Sequence, residues 1–130
     1  GLRVFHELGP DLYSASSHTF IGRVYARLGM ADIADRAASK AGSRYPKLSP
    51  EYVVSADPDL IVLADKACCD VTPKVVRGRP GWSEISAVQH DSVITVNKDV
   101  SSRWGPRLPR FVATVVRAMK EVQAPAGNAP

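Results

Sequence analysis

No stretch of this sequence approaches the about 20 consecutive apolar residues needed to cross a bilayer. The repeated glycines of a phosphate-binding loop are also missing. Gly9-Pro10-Asp11 is the nearest approach and lacks the pattern, which argues against P-loop and dinucleotide-binding enzymes. A Gly-x-Ser-x-Gly nucleophile elbow is absent, and with it the α/β-hydrolase arrangement. Basic residues give a net charge of +4 but form no dense run, so nucleic acid is not an expected partner. Cysteine is scarce: the chain has 2, Cys68 and Cys69, side by side. Two sulfurs are too few for a structural zinc site, which takes a full tetrahedral set at recognisable spacings. Neighbouring Cα atoms lie ~3.8 Å apart, shorter than the ~4.4–6.8 Å usual across a disulfide, so a bond between them would be strained. A vicinal disulfide, two reduced thiols and a bond to a partner outside the chain all stay open.

Apolar residues make up 45% of the 130, which suits one domain with a real core. The domain is expected over residues 1–123, and the Pro-, Gly- and Asn-bearing tail 124–130 is expected to be disordered. Arg3 to Leu8 alternates like a strand and stops at Gly9-Pro10. After a Ser-rich loop, Phe20, Ile21, Val24, Tyr25 and Leu28 fall on one helical face. Ser16, Ser17 or Thr19 can cap this helix and Gly29 can close it. Met30 to Lys47 carries no firm pattern. Ser49-Pro50-Glu51 combines a capping serine, a proline suited to the first helical position and an acid that complements the helix dipole, which predicts a short helix to about Ala56.

Leu60 to Ala64 is a continuous apolar run of strand length, expected to be covered on both faces. The polar connection 65–81 predicts a short helix from Pro73 to Arg77, and Trp82 to Val88 predicts another that packs Trp82, Ile85 and Val88 inward. Ser92 to Val96 reads as a further strand. Leu108, Phe111, Val112, Val115, Val116 and Met119 then mark a long amphipathic helix whose stripe is core.

Strands alternating with helices point to an α/β three-layer sandwich with a mainly parallel central sheet. In such sheets ligands bind outside the carboxyl ends of the strands. Three loops are expected to meet there, 9–19, 65–70 and 97–105. They bring together Tyr13, Ser14, Ser16, Ser17 and His18, then Lys66, Cys68 and Cys69, then Lys98, Arg103, Trp104 and the neighbouring Arg107. The richest stretch is Ser102-Arg103-Trp104-Gly105-Pro106-Arg107, with two guanidinium forks and a rigid indole face. Cations and aromatic faces on one rim suit an anionic, partly planar or bulky ligand. His18 could ligate iron or a haem, but one histidine with no second ligand at defined spacing is a weak signal beside a solvent-exposed or helix-capping role, and no resident metal or cofactor is expected. An alternative is a thiol-dependent α/β enzyme using Cys68 or Cys69, with Lys66 or His18 activating Cys69, although no third, orienting residue is evident.

Several blocks together resemble one family. They are Thr19-Phe20-Ile21-Gly22 with Leu28-Gly29 and Asp32-Ile33-Ala34; Tyr45-Pro46 through Leu48-Ser49-Pro50-Glu51; Pro58-Asp59-Leu60-Ile61-Val62; Pro80-Gly81-Trp82; Ala87-Val88; Val93 to Val96; and Gly105-Pro106-Arg107. In order and spacing over roughly residues 3–122 they resemble the C-terminal lobe of class III substrate-binding proteins of ABC importers, the iron-siderophore, haem and cobalamin type. The resemblance implies a non-enzymatic protein that captures a ferric siderophore, haem or cobalamin in a cleft between two lobes. This chain would supply one wall, and the N-terminal lobe would lie outside it.

The same resemblance makes Arg103, Trp104 and Arg107 ligand contacts and Glu51 the residue that docks onto the ABC-transporter permease. Tyr13, Ser16, His18, Lys66 and Cys69 join the ligand set through the loop cluster. Read without the family, Glu51 is an ordinary first-turn acid. Export is implied too, to the periplasm or cell envelope. Because Gly1-Leu2-Arg3-Val4 is no signal peptide, the export signal and any lipid anchor are expected upstream. The adjacent cysteines depart from the common pattern and take no role from it. Export favours a disulfide, one option being a bond to the missing lobe.

Overall fold

The computed structural model describes residues 2–41, 44–96 and 108–123. In chain order these form β1 (Arg3–Glu7), α1 (Phe20–Arg27), β2 (Ala31–Asp32), α2 (Ala34–Ala41), α3 (Pro50–Ala56), β3 (Leu60–Leu63), α4 (Lys66–Cys69), α5 (Pro73–Arg77), a 3-10 turn (Trp82–Glu84), α6 (Ser86–Gln89), β4 (Val93–Thr95) and α7 (Leu108–Gln123). Every residue of β3 is buried, as its unbroken apolar run requires. It pairs with β1 on one side and β4 on the other, and β1 pairs in turn with β2, giving the order β2-β1-β3-β4. Each pairing within the sheet is parallel. The expected three-layer α/β sandwich is therefore present, with a described sheet that is wholly parallel.

Alternation along β1 and β3 distributes the core to both faces. Val4, Leu60 and Val62 pack with Ile21 and Tyr25 of α1 and with Phe111, Val115 and Ala118 of α7. Phe5, Ile61 and Leu63 point the other way, against Val53 of α3, Val76 of α5, Trp82, Ile85 and Val88. His6 follows Val4 and is fully buried beside Tyr25, whose hydroxyl pairs with His6 Nδ1. Burial lowers the His6 pKa to about 4, so the ring is neutral in the core.

The start of α3 follows from its sequence. Ser49 Oγ accepts the Tyr52 N–H at 3.0 Å, and Pro50 takes the first turn. Replacing Ser49 with alanine leaves that N–H without its cap and is expected to cost about 1 kcal/mol, read as a lower midpoint in urea unfolding. The helix ends at Asp57, in the left-handed region with φ 52°.

Two regions differ from expectation. Met30 to Lys47, which carries no firm pattern, holds β2 and α2. Asp32 Oδ1 accepts the Ala34 N–H at 3.0 Å and so opens α2. Trp82 to Val88, expected as one helix, is split by Ile85, which is extended at φ −70°, ψ 134°. The cause is long-range: Asp57 accepts the Ser86 N–H at 2.7 Å and the Ser86 hydroxyl at 2.9 Å. That N–H is therefore committed to a carboxylate rather than to a continuing helix, and α6 restarts at Ser86. Trp82, Ile85 and Val88 are nonetheless all buried, as expected.

Candidate functional site

Parallel pairing of β1 with β3, with Glu7 opposite Leu63, places the loops after both strands at one carboxyl edge. The loop after β1 is held by backbone bonds: Leu8 N–H to Tyr13 O at 2.9 Å, Ser14 N–H to Pro46 O at 2.9 Å and Ser16 N–H to Arg44 O at 3.0 Å. Within it Leu12 sits at φ 71°, a conformation leucine rarely adopts. Its side chain is buried among the α3-side core residues, and its carbonyl accepts from Leu48 N–H at 3.0 Å. Packing and pairing therefore hold the strained turn in place.

Of the residues expected in this loop, Tyr13 is 43% exposed, with Lys47 Nζ 5.9 Å from the ring centroid. His18 is exposed. Ser14 and Ser16 are fully buried. Ser16 frames the loop: its carbonyl accepts the Thr19 hydroxyl at 2.7 Å and its Oγ accepts the His18 N–H at 3.3 Å. Thr19, not Ser16 or Ser17, caps α1 by accepting the Gly22 N–H at 2.9 Å. Ser17 N–H instead donates to Asp35 Oδ1 at 2.7 Å.

The second loop contains α4, a four-residue turn not anticipated from sequence. Lys66, Cys68 and Cys69 are exposed on it, and Cys68 and Cys69 are bonded to each other. That arrangement leaves neither sulfur available as a nucleophile. The third loop, with Lys98, Arg103, Trp104 and Arg107, lies outside the described residues.

Beneath the edge is a charge cluster that the sequence reading missed. Glu7, fully buried at the end of β1, receives a bidentate pair from Arg79, with Nη1 to Oε1 at 2.6 Å and Nη2 to Oε2 at 2.8 Å. The Arg79 guanidinium also lies 4.6 Å from the Trp82 ring centroid. Asp65, the second residue after β3, is fully buried, and neither of its oxygens receives a donor. Burial first, and then the neighbouring Glu7 carboxylate, push its pKa up to about 8. Asp65 is therefore mostly protonated at neutral pH, beside the Glu7 carboxylate that Arg79 holds. A cue was present in the sequence: both acids stand at the carboxyl ends of core strands, where parallel sheets place functional groups.

The pH dependence follows from these groups. An acid whose pKa rises on folding stabilises fully below its unfolded value, and that contribution is lost as pH rises through the folded value. For Asp65 the window runs from 3.8 to about 8. For Asp32, raised chiefly by burial, it runs from 3.8 to about 7. His6 acts oppositely between about 4 and 6.5. Above 6.5 only losses remain, and Asp65 contributes on the order of 1 kcal/mol per pH unit. Urea midpoints are expected to fall from pH 6.5 to 8, and Asp65→Asn should remove the part of the fall above pH 7.

A groove of about 660 Å³ opens beside the cluster, between Pro10–Leu12, Lys47–Glu51 and the stretch holding Arg79 and Trp82. Glu51 is exposed on its wall, in the first turn of α3. Among the described residues, no three His, Cys, Asp or Glu side chains come together as a metal site.

The model of the family described as "Periplasmic binding protein" matches residues 2–100. The chain belongs to the periplasmic binding protein family. An ABC transporter substrate-binding lipoprotein of Bacillus subtilis, YvrC, is 36% identical over 107 residues, covering 81% of this chain and 31% of that protein. A cobalamin-binding protein of Halobacterium salinarum is 34% identical over 124 residues, covering 89% and 31%. Among solved structures, the periplasmic vitamin B12 binding protein BtuF of Vibrio cholerae superposes with a TM-score of 0.75 at 26% identity, covering 95% of this chain and 46% of that one. The chain thus spans about a third of the length of the curated relatives it matches, and its fold fits one lobe of this family of binding proteins.

Proposed function

We propose that this chain is the C-terminal lobe of an exported substrate-binding protein that captures a metal chelate and delivers it to an ABC-importer permease. The observation that carries the reading is the family match over residues 2–100, on a parallel sheet whose carboxyl edge carries the loops after β1 and β3 beside the groove. The ligand class is cobalamin, haem or a ferric siderophore, supported by the cobalamin-binding relative at 34% identity. Tyr13, His18, Lys66, Cys69, Arg103, Trp104 and Arg107 form this lobe's ligand wall, and Ser16 holds the first loop in shape. Glu51, exposed at the start of α3, engages the permease. The protein acts at the cell envelope, held there by a lipid anchor, as the lipoprotein relative suggests.

Capture works by enclosure. Each lobe presents one preformed wall, and burying the ligand between them supplies contact area that a single lobe lacks. Calorimetric titration of the full two-lobed protein against cobalamin, haemin, a ferric hydroxamate and a ferric catecholate tests the reading. Saturable binding of at least one is expected, and no binding of any would contradict it.

A further inference from the structure

The Cys68–Cys69 bond cannot serve as an ordinary staple. A disulfide stabilises a fold mainly by restricting the unfolded chain, and that effect grows with the length of the loop it closes. Here the bonded residues are adjacent in sequence, with Cα atoms 3.8 Å apart, so no long loop is closed and distant parts of the chain are left unconstrained. What the bond constrains is α4 itself. This helix has four residues, its leading Asp65 makes no side-chain cap, and it ends at Asp70 in the left-handed region with φ 57°. So short a helix has little stability of its own. Its backbone bonds are few: Cys69 N–H to Asp65 O at 3.1 Å, Asp70 N–H to Lys66 O at 2.8 Å and a long Val71 N–H to Asp65 O at 3.5 Å. Lys66, Cys68, Cys69 and Asp70 are all exposed, so no burial of theirs holds the turn down.

Strained or exposed disulfides are the readily reduced ones, and this one is exposed and closed across a single peptide bond. We propose that Cys68–Cys69 is a site of reversible thiol–disulfide exchange with a dithiol reductant, and that opening it releases α4 and reshapes the carboxyl-edge wall. A reductant thiolate attacks Cys69 Sγ, the Sγ–Sγ bond breaks, and Cys68 leaves as a thiolate near the Lys66 turn. The second reductant thiolate then attacks the mixed disulfide, freeing Cys69 and closing the reductant's own disulfide. Two electrons pass to the protein, and the two protons of the reductant end on Cys68 and Cys69. Cys68 Sγ already lies 3.6 Å from the Asp65 carbonyl, an approach that becomes a hydrogen bond once the sulfur is protonated. Opening the ring thus changes the loop directly above the Asp65, Glu7 and Arg79 cluster. The consequence for ligand capture rests on the function proposed above.

The test uses the full two-lobed protein with dithiothreitol as the reductant. Iodoacetamide is expected to label both cysteines of the native, reduced protein, with no change in its thermal midpoint. Exchange at the Cys69, Asp70 and Val71 amides should accelerate by about tenfold or more, as local opening is freed. A Cys68→Ser/Cys69→Ser variant should show the fast exchange without reductant and no further response to it. Labelling that requires denaturant, or equal exchange in both redox states, would overturn the proposal. Affinity for a chelate that binds the oxidised protein should fall several-fold on reduction, and an unchanged affinity would refute the reshaping of the wall. If no chelate binds either form, the transport reading fails, while labelling and exchange still decide the redox site.

Discussion

Replacing Arg79 with alanine is expected to lower the unfolding free energy by about 3–5 kcal/mol, the range for removing one partner of a buried ion pair. Its guanidinium is the cation paired with Glu7, which is fully buried, and the protonated Asp65 sits beside that carboxylate. Without Arg79, the carboxyl pair keeps its negative charge in the interior with no counter-charge, and Trp82 loses the cation over its ring. Arg79→Lys keeps the charge but not the two-pronged geometry and should fall between the two. The informative control is Arg79→Met combined with Glu7→Leu. Removing both charges together should recover most of the loss, because an apolar pair of similar volume needs no compensation. Urea unfolding of the four proteins at pH 7 measures this. A loss in Arg79→Ala no larger than that of an exposed ion pair, about 1 kcal/mol or less, would show that the cluster is hydrated.

Gly22→Ala is the second large effect, and its cause is steric. A Cβ at position 22 would lie 1.8 Å from the Ser16 carbonyl oxygen, 2.5 Å from its carbon and 2.8 Å from Ser17 Cα. All three are backbone atoms, so no side-chain rotation relieves the clash. Either α1 moves away from the loop or the loop moves. The expected cost is about 3 kcal/mol, at the upper end for overpacking, and it outweighs the gain of nearly 1 kcal/mol that alanine has over glycine within a helix. Because the displaced segment is the 16–17 part of the rim, ligand affinity of the two-lobed protein should fall together with stability. A Gly22→Ala protein with an unchanged urea midpoint would contradict the close approach.

Elements whose cause is local could be read from the sequence. Leu60-Ile61-Val62-Leu63 announces a doubly covered strand and Ser49-Pro50-Glu51 announces a helix start; the short helix expected from Pro73 to Arg77 is α5, which the structure caps through Thr72 Oγ1, accepting the Val75 N–H at 3.3 Å. Much of what escaped depends on distant partners. β2 is two residues long and exists because β1 lies beside it. The break at Ile85 is imposed by Asp57, 29 positions from Ser86. Glu7 and Arg79 are 72 positions apart, and no periodicity links them. The loops of the candidate site were placed at one edge by topology, but topology does not say which hydroxyls turn inward. Ser16 faces the interior while Tyr13 and His18 face solvent. The geometry of adjacent cysteines left three arrangements open, and the structure holds the vicinal bond.

In the function proposed above, the carboxyl edge of this lobe is the ligand wall. Amide hydrogen exchange of the full two-lobed protein, with and without the chelate that binds in calorimetry, locates that wall. Protection is expected to concentrate in residues 8–18, 65–70 and 97–107, with the amino ends of the strands unchanged. Protection confined to the amino edge, near Arg3, Asp59 and Ser92, would contradict it.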